Sequence, residues 1–259
     1  MMAAKNSVPL RVYFFGLIAL LYLPISILFL FSINSNTFLS FPLQGLTLGW
    51  YEQLFTSEAL LRSARNSLVV AVGSSFTATL LGTMVSLLML RFKFRGKGLL
   101  VAMAVLPLIV PYIVLAVSLF LLFTIFGVDR SLWTVGIAHT VVALPYVLLI
   151  VSSRLSGFDP SLEEAAMDLG ADYPTTLRRV VIPMIAPAMV SAWLTAFTVS
   201  FDEFALALFL AGTQPTFPVY LYGQLRFASR LPIMIALAVL MMIVTLALVL
   251  IAEKVRRVE

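Results

Sequence analysis

Two adjacent carboxylates, Asp202 and Glu203, interrupt a long apolar stretch toward the end of the chain. An ionised acid in the middle of a lipid-spanning helix costs roughly 2.5 to 3.5 kcal/mol on insertion scales, so each acid needs water, a partner or a ligand. A carboxylate flanked by the rings of Phe201 and Phe204 suits an organic cation, through charge pairing and cation–π contact. The chemistry indicated by these residues is therefore the binding and passage of a cation.

The spacing of hydroxyl groups predicts which acid faces a polar pathway. Successive helical residues point about 100° apart, so the two carboxylates cannot easily serve one point. The face that runs through Glu203 is apolar, whereas the face through Asp202 is polar at helical spacing. Its members are Ser191, Thr195, Thr198 and Asp202.

We predict that this polar face, with Phe201 beside it, lines a translocation pathway. Glu203 is a second candidate for the pathway, but its apolar face predicts that it pairs with another helix or subunit. The alternative is that both acids are structural and pair with basic or hydroxyl groups of a partner subunit.

The rest of the chain offers little for catalysis. The absence of cysteine excludes disulfides, thiolate metal sites and cysteine nucleophiles, and a single histidine, His139, excludes a site built of several histidines. His139 lies in an apolar block, where we interpret it as a packing or hydrogen-bonding residue rather than a proton relay. There is no G-x4-G-K-[S/T] phosphate loop, so the sequence offers no such site for a nucleotide. An intramembrane enzyme would need a catalytic set on facing spans, and the sequence supplies none.

Composition indicates that membrane helices position these residues. The chain is 61% hydrophobic and 11% charged, with a mean hydropathy of +1.06. Its apolar blocks are about 20 residues long, enough to cross a hydrocarbon core about 30 Å thick, and they lack the alternation of barrel strands. The first block is too long for a signal peptide. We predict an all-α membrane protein, a single domain over 1–259, with six spans at about 10–33, 67–90, 99–126, 131–151, 187–211 and 233–252.

The basic residues predict the orientation of these spans. Cytoplasmic loops of membrane proteins carry an excess of lysine and arginine. With the N-terminus inside, only Arg62, Arg65, Arg130, Arg226 and Arg230 of the 17 basic residues lie outside. We therefore predict that both termini and the long connection 152–186 are cytoplasmic.

The connection 152–186 carries the most specific pattern in the chain. Asp159 followed by Pro160 predicts a helix start, because aspartate accepts from the first amides and proline needs no donor there. Glu163 and Glu164 then lie in the first turn, where the helix dipole favours negative charge. Gly170 is well placed as the left-handed residue that ends this helix.

A second helix is predicted directly after Gly170. Asp172 can cap it, and it runs to about Val181 before Ile182-Pro183 breaks it ahead of the fifth span. A helix, a sharp turn and another helix, with a small Ala165-Ala166 surface, would fit into the cleft of a partner protein.

These residues resemble a known motif. Glu164-Ala165-Ala166, then Gly170, then Val180-x-Ile182-Pro183 is similar to the E-A-A-x3-G-x9-I-x-L-P loop of permeases of binding-protein-dependent ABC importers. Val180 and Ile182 depart from the commonest consensus, although both remain aliphatic. In that family the loop docks on the ATP-hydrolysing subunit and carries its closure to the membrane helices. The resemblance implies this coupling role for Glu164, Ala165, Ala166, Asp168, Gly170, Ile182 and Pro183. The alternative is an ordinary amphipathic loop on the membrane surface.

The resemblance extends over nearly the whole chain and is closest to permeases of spermidine/putrescine-type importers. Segment 138–146 looks like their fourth span, 200–204 like their S-L-D-D-F segment, and 217–222 like the outer loop that follows; Phe201 and Glu203 are departures. The resemblance implies a type I ABC importer permease (MetI-like) fold, a bacterial inner-membrane location, alternating access and no cofactor on this chain. The implied partners are a second homologous permease, an ATPase dimer that binds ATP and Mg, an extracytoplasmic solute-binding protein and the lipid membrane, without nucleic acid.

Other solutes and another transport class stay open at this point. Related permeases import choline-like compounds, 4-aminobutyrate-like compounds or ferric iron. A passive channel or ion-coupled carrier is the rival from another class, but it gives no account of the loop from Glu164 to Pro183.

Overall fold

A computed structural model of the chain describes the backbone of residues 7–256 and the side chains of residues 10–243 and 246. The chain forms two compact units, one of which is Arg62–Tyr220 and the other of which combines the segments before and after it. Lys5 and Arg257, which contribute to the predicted orientation, lie outside the described residues, as do the side chains at the end of the predicted sixth span.

The regular secondary structure of the described backbone is helical, without an extended strand. Its helices are α1 Ser7–Ser32, α2 Gly49–Thr56, α3 Glu58–Arg91, α4 Lys97–Val105, α5 Tyr112–Ile125, α6 Leu132–Ser156, α7 Ser161–Asp168, α8 Tyr173–Thr176, α9 Ile182–Phe201, α10 Ala205–Leu210, α11 Phe217–Gln224 and α12 Leu231–Arg256. The all-α prediction is therefore confirmed for this part of the chain.

Each predicted span overlaps one or more apolar helices. Among the described residues, four helices are long and apolar enough to cross a membrane, and a bent pair adds a fifth if it counts as one span. A shorter apolar helix covers Ala228–Ile243. The count of six spans and the cytoplasmic position of both termini stay predictions.

The predicted third span, 99–126, is not one straight helix. α4 and α5 are bent by 111° relative to each other. A short 3₁₀ turn that contains Pro107 follows α4, and Pro111 directly precedes α5. Each proline removes a backbone donor and its ring clashes with the preceding turn, so two prolines so close together end one helix and redirect the next.

The predicted fifth span, 187–211, differs at both ends. The helix begins at Tyr173 and runs without a break to Phe201, so the predicted break at Ile182-Pro183 is wrong. A π-helical turn at Leu177–Val181 precedes Pro183, and the amide of Ile182 donates to the carbonyl of Leu177, five residues back. Such a widened turn lets the chain continue through a proline that cannot donate. The helix ends at Asp202, and α10 follows as a separate short helix.

The unit Arg62–Tyr220 is built around α6, which packs along α9 and close to α3. Gly82 of α3 permits this approach, because a Cβ there would lie 2.6 Å from Cγ1 of Val147. Small and aliphatic side chains of the three helices form one buried cluster. Its members include Ala78, Ala143, Val147, Val151, Ile185, Ala192 and Ala196.

A second buried cluster in this unit holds α10 in place. Leu206 and Leu210 pack with Ala116 of α5 and Val135 and Val142 of α6. The hydroxyl of Thr134 on α6 also donates to the carbonyl of Leu210 at 3.0 Å. The short helix after the break is therefore anchored on both α5 and α6.

The other unit consists of α1, α2 and α12, with α12 packed against the other two. The indole of Trp50 donates to the carbonyl of Asn34 at 2.7 Å, and the hydroxyls of Tyr51 and Ser32 lie 2.8 Å apart. These contacts fasten α2 to the end of α1.

Candidate functional site

The two faces of α9 divide as the spacing of their residues predicts. Ser191, Thr198 and Asp202 are exposed and Thr195 is half-buried, whereas Ala192 and Ala196 are fully buried. The three hydroxyls donate back to carbonyls four residues earlier in the same helix, at 2.9 to 3.0 Å. Their oxygens can still accept, so this face offers a row of acceptors that ends in the Asp202 carboxylate.

Asp202 and Glu203 are separated by the end of α9. Asp202 terminates the helix and remains exposed, while Glu203 turns inward and is only 6% exposed. The Glu203 carboxylate accepts from the amides of Ala205 and Leu206 at 2.9 Å each, and from Ala207 at 3.3 Å. Glu203 therefore caps the start of α10, where the dipole of a helix favours a negative charge.

A buried chain of polar groups supports Glu203 from the neighbouring helices. Nε2 of His139 on α6 lies 3.3 Å from the Glu203 carboxylate, and Nδ1 of the same ring lies 2.8 Å from the Ser200 hydroxyl. The Ser200 hydroxyl lies a further 2.8 Å from that of Ser74 on α3. Three helices thus hold the break between α9 and α10, and the structure places Glu203 in this network and away from the exposed face of α9.

Phe201 belongs to a row of aromatic rings at the same end of α9. Its ring stacks on Phe197 with centroids 5.9 Å apart, and lies 6.2 Å from the ring of Phe217. Trp193 continues the row at 5.8 Å from Phe197. The rings beside Asp202 are therefore held by one another.

The loop between α6 and α9 has the predicted shape of a helix, a sharp turn and a helix. α7 begins after Pro160, and Asp159 accepts from the amide of Ser161 at 3.0 Å. Gly170 has a φ of +89°, the left-handed conformation that glycine adopts readily. Asp172 caps α8, and hydrogen bonds from the side chain and amide of Thr175 hold the pKa of the Asp172 carboxyl below its usual value.

The predicted coupling residues fall into two groups. Glu164, Ala165, Asp168 and Gly170 are exposed and Ala166 is half-buried, all on α7 and its turn. Ile182 and Pro183 are also exposed, but they lie beyond the π-helical turn on the long helix. The structure therefore does not place all seven on one short element.

The sequence did not predict the positions or contacts of three residues in this region. Leu169 is 91% exposed at the end of α7, an unusual position for a leucine outside a membrane span. Glu163 turns inward and forms an ion pair with Arg91 at the end of α3. The helical rotation between adjacent residues could have separated Glu163 from Glu164, but nothing local indicates Arg91 as the partner.

Residues 78–257 match the family described as the inner membrane component of binding-protein-dependent transport systems. A spermidine/putrescine transport system permease protein of Haemophilus influenzae is 35% identical over 246 residues, which cover 95% of each chain. A putrescine transport system permease protein of Escherichia coli is 35% identical over 80% of this chain and 76% of its own length.

The fold is also that of a solved transporter. A chain of a bacterial ABC transporter involved in the import of the acidic polysaccharide alginate superposes with a TM-score of 0.74. The match covers 98% of this chain and 99% of that chain, at 18% sequence identity. At that identity the likeness extends to the fold alone.

Proposed function

The chain belongs to the inner membrane components of binding-protein-dependent transport systems, and from this premise we propose that it forms, with a second homologous permease, the import pathway for a small organic cation. Members of this family are transport permeases and not enzymes, and the chain is a multi-pass protein of the bacterial inner membrane. The solute class that we propose is the polyamines, putrescine and spermidine.

One observation carries this proposal: α9 breaks at Asp202 and leaves that carboxylate exposed at the end of a hydroxyl-bearing face. Interrupted membrane helices commonly form solute sites, because their free ends and the side chains beside them can face a polar cavity. An exposed acid next to aromatic rings suits an ammonium group. The spermidine/putrescine and putrescine permeases that are 35% identical to this chain support the same solute class.

We assign the coupling role to α7 and the turn that follows it. This element exposes the Glu164 carboxylate, the small Ala165 and the apolar Leu169 together. Leu162 and Met167 of the same helix are exposed as well, and several exposed apolar side chains rimmed by polar groups are typical of a surface that another protein covers. The proposed partner is a cytoplasmic ATPase dimer that binds ATP and Mg, while a solute-binding protein delivers the solute from the other side.

The proposed mechanism is alternating access. Closure of the ATPase pair on ATP moves α7, and the helices joined to α7 open the pathway toward the other side. α6 and the long helix from Tyr173 to Phe201 flank the loop in the chain and share a buried cluster. A displacement of the loop is therefore transmitted directly to the helix that carries Asp202.

The reconstituted importer tests the proposal through Asp202→Asn. We expect uptake of radiolabelled spermidine or putrescine to fall about tenfold or more, because a hydrogen bond to a charged group contributes about 1.5–3 kcal/mol and about 1.4 kcal/mol is tenfold. Asp129→Asn is the matched control, since Asp129 is an exposed acid in the connection between α5 and α6.

Competition with unlabelled choline, 4-aminobutyrate and ferric iron in the same vesicles identifies the solute class. If Asp202→Asn does not alter polyamine uptake, Asp202 does not line the pathway. Uptake by this chain alone, without ATP or the ATPase, would instead identify a carrier or channel.

A further inference from the structure

The end of α3 is fastened to the loop between α6 and α9 by a charged contact. The Arg91 guanidinium pairs with the Glu163 carboxylate of α7, and its Cζ lies 5.2 Å from the centre of the Phe158 ring. Phe158 itself is buried in the cluster that joins α6 and α9. Arg91 therefore contacts both ends of the segment that leads from α6 into α7.

Both partners of the ion pair are largely removed from solvent. The exposed fraction of the side chain is 16% for Arg91 and 11% for Glu163. Removing one partner of such a pair leaves the other charge largely buried and uncompensated, which is strongly unfavourable. The contact should consequently persist while α7 moves.

A second contact lies one residue further along the chain. The rings of Phe92 and Tyr173 meet edge to face with centroids 6.2 Å apart. Tyr173 is the first residue of α8. The end of α3 thus contacts both helical arms of the loop, although no short connection in sequence joins it to either.

The middle of α3 contacts the residues that precede the break at Asp202. Ser74 lies 17 residues before Arg91 on the same helix, about 25 Å at about 1.5 Å per residue. Its hydroxyl is 2.8 Å from that of Ser200, which is two residues before Asp202. α3 therefore joins the loop to the break as one rigid element.

We propose that Arg91 and Glu163 are positioning residues that make α3 move with α7, so that the loop acts on the Asp202 break through α3 as well as through α9. This inference rests on the proposed coupling role of α7. It adds a mechanical link between the two proposed sites that neither site by itself requires.

The link is tested in the complete importer, reconstituted in vesicles with its ATPase and binding protein. The measured quantity is the uptake of radiolabelled spermidine or putrescine per ATP hydrolysed. The variants are Arg91→Gln, Glu163→Gln and the double variant, with Arg91→Lys to retain the charge. Lys93→Gln is the matched control, because Lys93 is an exposed cation two residues away. The double variant has no unpaired charge and should assemble even where a single variant does not.

We expect uptake per ATP to fall at least about fivefold in both single variants and by a similar factor in the double variant, since coupling effects begin near this size. Arg91→Lys should recover most of the loss, and Lys93→Gln should match the wild type. Uptake per ATP equal to wild type in the double variant would overturn the link, because a merely structural role changes the amount of complex and leaves this ratio unaltered. If the importer with the wild-type chain shows no ATP-dependent uptake, the proposed function itself is wrong, whatever the variants show.

Discussion

Two pairs of adjacent acids in this chain divide in the same way at the scale of single residues. Glu163 turns inward to Arg91 while Glu164 is exposed, and Glu203 turns inward to His139 while Asp202 is exposed. In each pair one carboxylate holds the chain together, which leaves the other available to a partner or a solute. The two roles are separated because consecutive residues of a helix or its end point in different directions.

Glu203→Ala should destabilise the purified importer without removing the exposed acid. Three amides of α10 would lose their acceptor and His139 its neighbouring carboxylate, and the loss of about 2 kcal/mol would lower the midpoint of thermal unfolding by roughly 5 °C. Asp202→Asn is the matched control for stability, because the Asp202 side chain is exposed. A midpoint for Glu203→Ala equal to that of the wild type would contradict the capping role.

At the scale of elements, the loop between α6 and α9 combines a sharp turn with a helix that continues into the membrane. Its turn depends on Gly170, whose φ of +89° a side chain would strain even though nothing lies within 4 Å of the Cβ position. Its second arm continues into the membrane helix through the π-helical turn. The loop therefore consists of one arm that ends at the Gly170 turn and one arm that is continuous with α9.

Gly170→Ala should weaken capture of the ATPase by the detergent-solubilised permease. A left-handed alanine costs about 1–2 kcal/mol, which would reorient α7 relative to α8 and lower the captured amount several-fold. Gly157→Ala is the matched control, because Gly157 has a φ of −89° and its added Cβ would make only an ordinary contact, 3.8 Å from the Arg154 carbonyl. Equal capture by both variants would show that the turn is not required.

Local patterns predicted much of this element and missed the rest for a physical reason. The caps, the turn at Gly170 and the exposed face of α9 follow from residue type and helical spacing. The continuity through Pro183 depends on a widened turn, and the break at Asp202 depends on His139 and Ser74, which belong to other helices. Long-range contacts of this kind leave no periodic signal in the sequence.

At the scale of the whole molecule, composition is sufficient to predict an all-α membrane protein, and the matched family agrees. The straightness of the spans could not be predicted in the same way. α4 and α5 meet at 111°, so the apolar length of 99–126 alone does not determine how that segment sits in lipid.

The absence of cysteine makes the predicted orientation directly testable. Single cysteines at position 93 or 168 should resist a membrane-impermeant maleimide in right-side-out vesicles, and one at position 129 should react. All three residues are exposed, so burial does not decide the outcome. Labelling at 93 or 168 as fast as at 129 would contradict the predicted cytoplasmic position of the termini and of the connection 152–186.

On the proposed function, the gap between α9 and α10 should also select solutes by the sign of their charge. The last carbonyls of α9 carry the negative end of its dipole, and Asp202 adds a full negative charge beside them. The opposite, electropositive start of α10 is neutralised by Glu203. These negative groups would repel an approaching anion, and we expect the gap to reject carboxylates and phosphates whatever their size.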